Sequence, residues 1–270
     1  MKRRALAVLL IAGCAREQTP LPDAKAPAAG TEPAHWDYGT AKGPVAWGSL
    51  DAKYSLCSTG RAQSPVDIVG ATRATSGPIV SSTYRPTPLR IVHHEAKADL
   101  VNTGHSIQVN AAGDDTVLVG SDRFALVQFH FHSPSEHTVA GASFPLEMHL
   151  VHRSADGRLA VVGVLIREGA YNTSFEPIWS KLPEIVDREM AHDSVMVNID
   201  ALLPDNRTHY RYDGSLTTPP CAEGVKWFVL ETPVELSAAQ IAALRAVLSG
   251  NSRPVQPLHG RALTEIIDKR

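Results

Sequence analysis

No block of like charge runs through this 270-residue chain: 26 Lys and Arg stand against 28 Asp and Glu, a formal net charge of −2. That balance leaves no sequence-wide footprint for nucleic acid or for an anionic lipid surface. Cysteine is scarce, three in all, enough for one pair and no framework. There is no Gly-rich phosphate loop, no internal repeat and no composition break after residue 35, so one domain is the economical organisation. The apolar run 5–13 is too short to span a bilayer. Long helical patterns are few, whereas 19 prolines and 19 glycines punctuate the chain. A β-rich, loop-rich fold follows.

What is present is ordinary for a globular body, with 43% apolar and 20% charged residues. The start differs. Lys2, Arg3 and Arg4 precede that apolar run, which has the length of a signal-peptide h-region. It closes on Ile11-Ala12-Gly13-Cys14, similar to a bacterial lipobox with Cys14 as the lipidated residue. An ordinary signal peptide cut a few residues later is the alternative. Residues 1–14 are thus read as the export signal, 15–34 as an Ala/Pro-rich flexible tether, and 35–270 as the folded domain. Export places the body in the periplasm or lipid-anchored to the cell envelope, facing the periplasm or the cell surface. There an oxidising compartment would favour a Cys57–Cys221 disulfide over two free buried thiols.

Six stretches read as strands: Ala98–Val101 with Ser106–Asn110, Ala125–His132, Leu146–Val151, Leu159–Arg167 and Trp227–Thr232. Helical patterns fall near Phe175–Ile185 and at Ser237–Leu248, where Ser237 is an N-cap and Gly250 follows the end. Short turns between strands predict a mostly β fold with peripheral helices (α+β), built on a largely antiparallel sheet.

QFHFHSPSEH, residues 128–137, holds two histidines one residue apart. On a strand, His130 and His132 share a face with Gln128, and Phe129 and Phe131 share the other. His149 follows in EMHLVH, on one face with Glu147 and Val151. Three neutral imidazoles leave a fourth tetrahedral position open, as in catalytic zinc sites. Gln128 and Glu147 are candidates to hold the second ring nitrogens. An HxH pair alone is weak, since surface histidines do the same.

QFHFHSPSEHTV, EMHLVH, YDGSLTTPPC, GHSIQV, QSPVDI and NSRPVQPL together resemble the α-class carbonic anhydrases from about His35 onward. The resemblance implies a large, mostly antiparallel sheet with a zinc at the base of a conical cavity, hydrating CO2 reversibly to bicarbonate and a proton. It makes His130, His132 and His149 the zinc ligands. It makes Thr217 the acceptor of a hydrogen bond from zinc-bound hydroxide, and Glu136 the carboxylate orienting Thr217. Val151, Val161, Leu216 and Trp227 would wall the CO2 pocket, with Thr217 and Thr218 backbone groups binding product. His105 matches the proton shuttle, Tyr38 and Asn102 its water chain. Asn251 matches a second-shell asparagine and Arg253 a structural arginine. Thr103 and Gln108 depart from common asparagines, and Ser133 from a tryptophan usual in animal members.

His130-x-His132-x3-Glu136 also fits a first cupin motif, with Glu136 as an iron or manganese ligand. The second cupin motif lacks its Pro-x-Gly, and Arg153 stands at its asparagine position. A tethered, non-catalytic zinc-binding or docking protein is the other rival. CO2 and bicarbonate are the expected partners, with no nucleic acid, membrane contact only through an N-terminal lipid, and a homodimer left open.

Overall fold

A computed structural model describes residues 34–74, 89–92, 95–112, 115–182, 188–190 and 196–268. Cys14, the export signal and nearly all of the tether lie outside the described residues. Seven strands carry the main sheet: β1 (Glu95–Asn102), β2 (Ile107–Ala112), β3 (Asp122–His132), β4 (Leu146–Ser154), β5 (Leu159–Glu168), β6 (His209–Ser215) and β7 (Glu223–Leu236). They lie in the order β1-β2-β3-β4-β5-β7-β6, within a sheet of thirteen strands among the described residues. Every neighbouring pair is antiparallel except β5 and β7, which run parallel. The sheet is therefore mixed with an antiparallel majority. Within one sheet, a parallel pair needs a long crossover, and here the chain from Gly169 to Ala222 supplies it.

Period-two alternation sets the two faces. Phe129 and Phe131 of β3, Leu146, Met148 and Leu150 of β4, Val162 and Val164 of β5, and Phe228 of β7 enter one core. Each such buried side chain contributes roughly 1.5–3 kcal/mol relative to exposure. Val161, Leu165, Trp227 and Tyr212 build a second cluster on the opposite face, and His130, His132 and His149 lie on that side. β5 is buried on both faces, which is why it reads as a near-continuous apolar run.

All six predicted strands are present and extend beyond the expected range at one or both ends. Helix α1 (Ala238–Val247) has the expected N-cap: Ser237 Oγ accepts from the Gln240 amide, and Gln240 answers in a capping box. Ile241 and Leu244 seal it onto the first core. The helix predicted near Phe175–Ile185 is corrected. Only a 3-10 turn, Thr173–Phe175, and one α turn, Glu176–Trp179, form before residue 183, beyond which the prediction lies outside the described residues. Pro183 disfavours helical backbone at Leu182 and has no N–H to continue the ladder. β6 escaped the sequence reading because Arg211 and Asp213 interrupt its apolar pattern.

Candidate metal centre

The pairing of β3 with β4 sets His130 opposite His149 and His132 opposite Glu147. Ring centroids are 4.9 Å apart for His130 and His132, 5.3 Å for His130 and His149, and 4.5 Å for His132 and His149. One nitrogen from each ring lies within 4.8 Å of the others. The remaining nitrogen of each ring is taken. His130 Nδ1 donates to Gln128 Oε1 and His132 Nδ1 to the Asn251 carbonyl, both at 2.8 Å. His149 Nε2 donates to Glu147 Oε1, also at 2.8 Å. An acceptor on one nitrogen makes the other the bare one. His130 and His132 therefore present Nε2, and His149 presents Nδ1. His132 Nε2 is buried with no hydrogen-bond partner, a costly state for a polar atom unless something binds it.

Burial lowers the pKa of all three imidazoles, to about 4 for His132. For His130 the neighbouring histidines add to the effect. Neutral imidazole is the ligand-competent form. The donor set, its protonation and the orphaned Nε2 all fit a zinc ion. Residues His130, His132 and His149 could hold it.

Glu147 is the anchor beneath. Burial pushes its carboxyl up, but the charges and hydrogen bonds of His137 and His149 outweigh that and hold it well below the usual range. It accepts from His149 Nε2, from His137 Nδ1 at 2.7 Å, and from the Glu136 and His137 amides at 2.9 and 2.8 Å. His137 Nε2 in turn meets the Tyr212 hydroxyl at 2.7 Å, and Tyr212 donates to Ser64 Oγ at 2.9 Å. His137, Glu147 and His149 also cluster closely enough for a cation, but both nitrogens of His137 are already partnered. Gly163 faces His149 across β5, and a Cβ there would lie 3.1 Å from Glu147 Oε1. Sequence reading missed His137, Tyr212, Ser64 and Gly163. His137 beside Glu136 was the one visible signal.

Glu136 is buried, and burial raises its pKa to about 7 against the opposing pull of His149, the Arg253 amide and Thr217. The Arg253 amide donates to its Oε1 at 2.9 Å. Its Oε2 has no hydrogen-bond partner among the described residues. The Arg253 guanidinium donates to Gln63 Oε1 and to the Ser64 and Cys57 carbonyls. Cys57 and Cys221 form a disulfide, 164 residues apart in sequence. Cys221 closes the Thr217 turn by donating its amide to the Thr218 carbonyl at 2.8 Å.

A cavity of about 310 Å³ opens over the triad. His130 and His149 share its wall with Val151, Val161, Leu216, Thr217, Thr218 and Trp227, and with Gln108 and Gln128. Trp227 is fixed by donating Nε1 to the Ser215 carbonyl at 3.0 Å.

His105 lies elsewhere, in a second cavity of about 640 Å³ with Tyr38, Asn102, Thr103 and Asn251. Its ring stacks on Trp36, centroids 4.0 Å apart and planes at 14°. Asn102 Oδ1 accepts from the Gly104 amide, and Thr103 Oγ1 from the His105 and Ser106 amides. Asn251 joins the two regions: its Nδ2 donates to the His105 and Phe131 carbonyls while its own carbonyl holds His132. Ser133 takes Arg245 Nε on its hydroxyl and gives its amide to Asn251 Oδ1.

The sequence model of eukaryotic-type carbonic anhydrases matches residues 42–267. A carbonic anhydrase of Pectobacterium atrosepticum is 41% identical over 238 residues, covering 87% of this chain and 93% of the relative. One of Klebsiella pneumoniae is 40% identical over 236 residues, covering 86% and 91%. Among solved structures, α-carbonic anhydrase from Thermovibrio ammonificans in complex with the inhibitor sulfanilamide superposes with a TM-score of 0.77 at 41% identity, covering 86% of this chain and 99% of that one. Matched over most of its length in sequence and in structure, the chain belongs to the α-class, eukaryotic-type carbonic anhydrases and is an enzyme of that family.

Proposed function

We propose that His130, His132 and His149 hold a zinc ion, and that the chain hydrates CO2 to bicarbonate and a proton in the cavity above them. The observation that carries this reading is the buried, unpartnered Nε2 of His132 within a triad whose other nitrogens are pinned. When bound, zinc lowers the pKa of water from 15.7 to about 7 and so supplies a nucleophile at neutral pH, an effect for which carbonic anhydrases are themselves the reference case.

The protein's own groups do the rest. In its ionised form Glu136 accepts a hydrogen bond from the Thr217 hydroxyl, which leaves Thr217 Oγ1 free only to accept, so it turns an oxygen lone pair of the nucleophile toward the substrate. Val151, Val161, Leu216 and Trp227 give uncharged CO2 an apolar seat, because it offers no charge to grip. The Thr217 and Thr218 backbone binds the product anion. His105 takes up the released proton on its ring and passes it to buffer. Its place beside Tyr38, Asn102 and Asn251, half-buried in a polar cavity, supports that role.

Stopped-flow CO2 hydration tests the reading directly. Activity should fall to background with a chelator and return with zinc; chelator-insensitive activity would refute it. Export is proposed with it: residues 1–14 act as a signal, 15–34 as a tether, and Cys14 carries lipid. The disulfide suits an oxidising compartment, and no helix among the described residues is long and apolar enough to cross a membrane. Mass spectrometry of the mature N-terminus should find a diacylated Cys14; an unmodified later residue would assign ordinary cleavage.

A further inference from the structure

On β4 one row of side chains runs Glu147, His149, Val151, Arg153, every second residue on the same face. It begins buried and ends exposed: Glu147 and His149 buried, Val151 half-buried, Arg153 out in solvent. Arg153 lines the same cavity as His130 and His149 and pairs across the sheet with Leu159, another lining residue. Of the thirteen residues that line this cavity, Arg153 alone carries a permanent charge. The others are apolar, hydroxyl, amide or imidazole groups. Arg153 makes no ion pair among the described residues, so its charge is not cancelled locally. A guanidinium without a carboxylate partner over a low-dielectric wall leaves a positive potential at the mouth. CO2 carries no charge and does not sense it; bicarbonate does.

We propose that Arg153 is an anion-capture residue, which draws bicarbonate and other small monovalent anions into the triad cavity. The proposal rests on the function proposed above. It deepens that reading by naming the group that distinguishes the charged from the uncharged partner of the reaction. Arg153 touches no reacting atom; it acts by field, from ~13 Å along the strand, four residues beyond His149 at about 3.3 Å each.

Sodium thiocyanate is the probe, titrated into the zinc-loaded protein at low ionic strength. Affinity is read twice, as inhibition of CO2 hydration and as heat in a calorimeter. Arg153→Gln should weaken binding about two- to threefold, the effect of one charge at ~13 Å through a largely aqueous path. Arg153→Glu should weaken it further, and Arg153→Lys should restore it, because charge and not the guanidinium fork is required. Added sodium sulfate should shrink the differences as the Debye length falls below about 8 Å. Thiocyanate affinity equal in wild type, Arg153→Gln and Arg153→Glu, in a protein that hydrates CO2, would overturn this inference and leave the proposed function standing. A loss in Arg153→Lys as large as in Arg153→Glu would also overturn it. A zinc-loaded wild type that neither hydrates CO2 nor binds thiocyanate would overturn both.

Discussion

Two cavities on one sheet are built by different means. The triad cavity is walled mainly by strands β3, β4, β5 and β7, so the period of two and the register decide what faces it. The His105 cavity is walled by the N-terminal segment around His35–Tyr38, the turn at Asn102–His105 and the chain from Arg245 to Asn251. A strand positions a side chain through ladder bonds on both sides. A turn positions it through local hydrogen bonds, here those of Thr103 and Asn102. The first suits groups that must converge on a point, the second a group that exchanges with solvent. Asn251 holds both, through the His132 ring and the His105 carbonyl.

The largest expected effect breaks the strand-built side. His132→Ala removes one of three ligands and should abolish zinc retention and CO2 hydration together, measured by metal analysis and stopped flow; full activity in that variant would refute the triad.

Next comes the opposite face of β4. His152 lies buried among apolar neighbours, and burial lowers its pKa to about 4 from an ordinary 6.5. The unfolded chain takes up this proton first as pH falls. Stability present above pH 6.5 is therefore lost progressively toward pH 4, by about 3 kcal/mol for this group. In His152→Leu the loss between pH 7 and 4, read by urea unfolding, should be smaller by about that amount. An unchanged pH dependence would show that His152 is not held neutral.

The turn-built side should respond differently. His105→Ala should slow turnover in dilute buffer by up to about 10²-fold, the low end of general acid–base effects. Imidazole added to the solution should recover part of it, and zinc content should stay that of wild type. No dependence on buffer concentration would remove His105 from the proton path.

The smallest effect sharpens the strand account. Gly163→Ala places a methyl 3.1 Å from Glu147 Oε1, closer than ordinary contact. Pushing the carboxylate from His149 should weaken zinc binding by less than the roughly 10- to 100-fold typical of losing such a partner outright. Shortening the partner in Gly163→Ala with Glu147→Asp should recover part of the loss in a chelator competition. Additive losses in the double variant would mean that the two residues do not meet.

This contrast also explains what could be read in the chain. The shared face of His130 and His132, and that of His149 and Val151, was legible from strand alternation, with Phe129 and Phe131 marking the buried face, while their roles came from the family resemblance. Gln128 and Glu147 followed from the same rows. His137 and Tyr212 were not legible, because their contact spans 75 residues and depends on how β6 folds back. Gly163 was invisible for another reason: its importance lies in the space it leaves. The lengths of β3, β4 and β7 were underestimated because their ends leave the apolar pattern while the ladder bonds continue. Of the expected helix at Phe175–Ile185, the described residues form only the short turns Thr173–Phe175 and Glu176–Trp179.

The account turns on which nitrogen each histidine presents. The 15N chemical shifts of the three imidazoles in the zinc-loaded protein measure this directly. Coordination through Nε2 of His130, Nε2 of His132 and Nδ1 of His149 is the predicted result. Coordination of His149 through Nε2, with its bond to Glu147 given up, would contradict it.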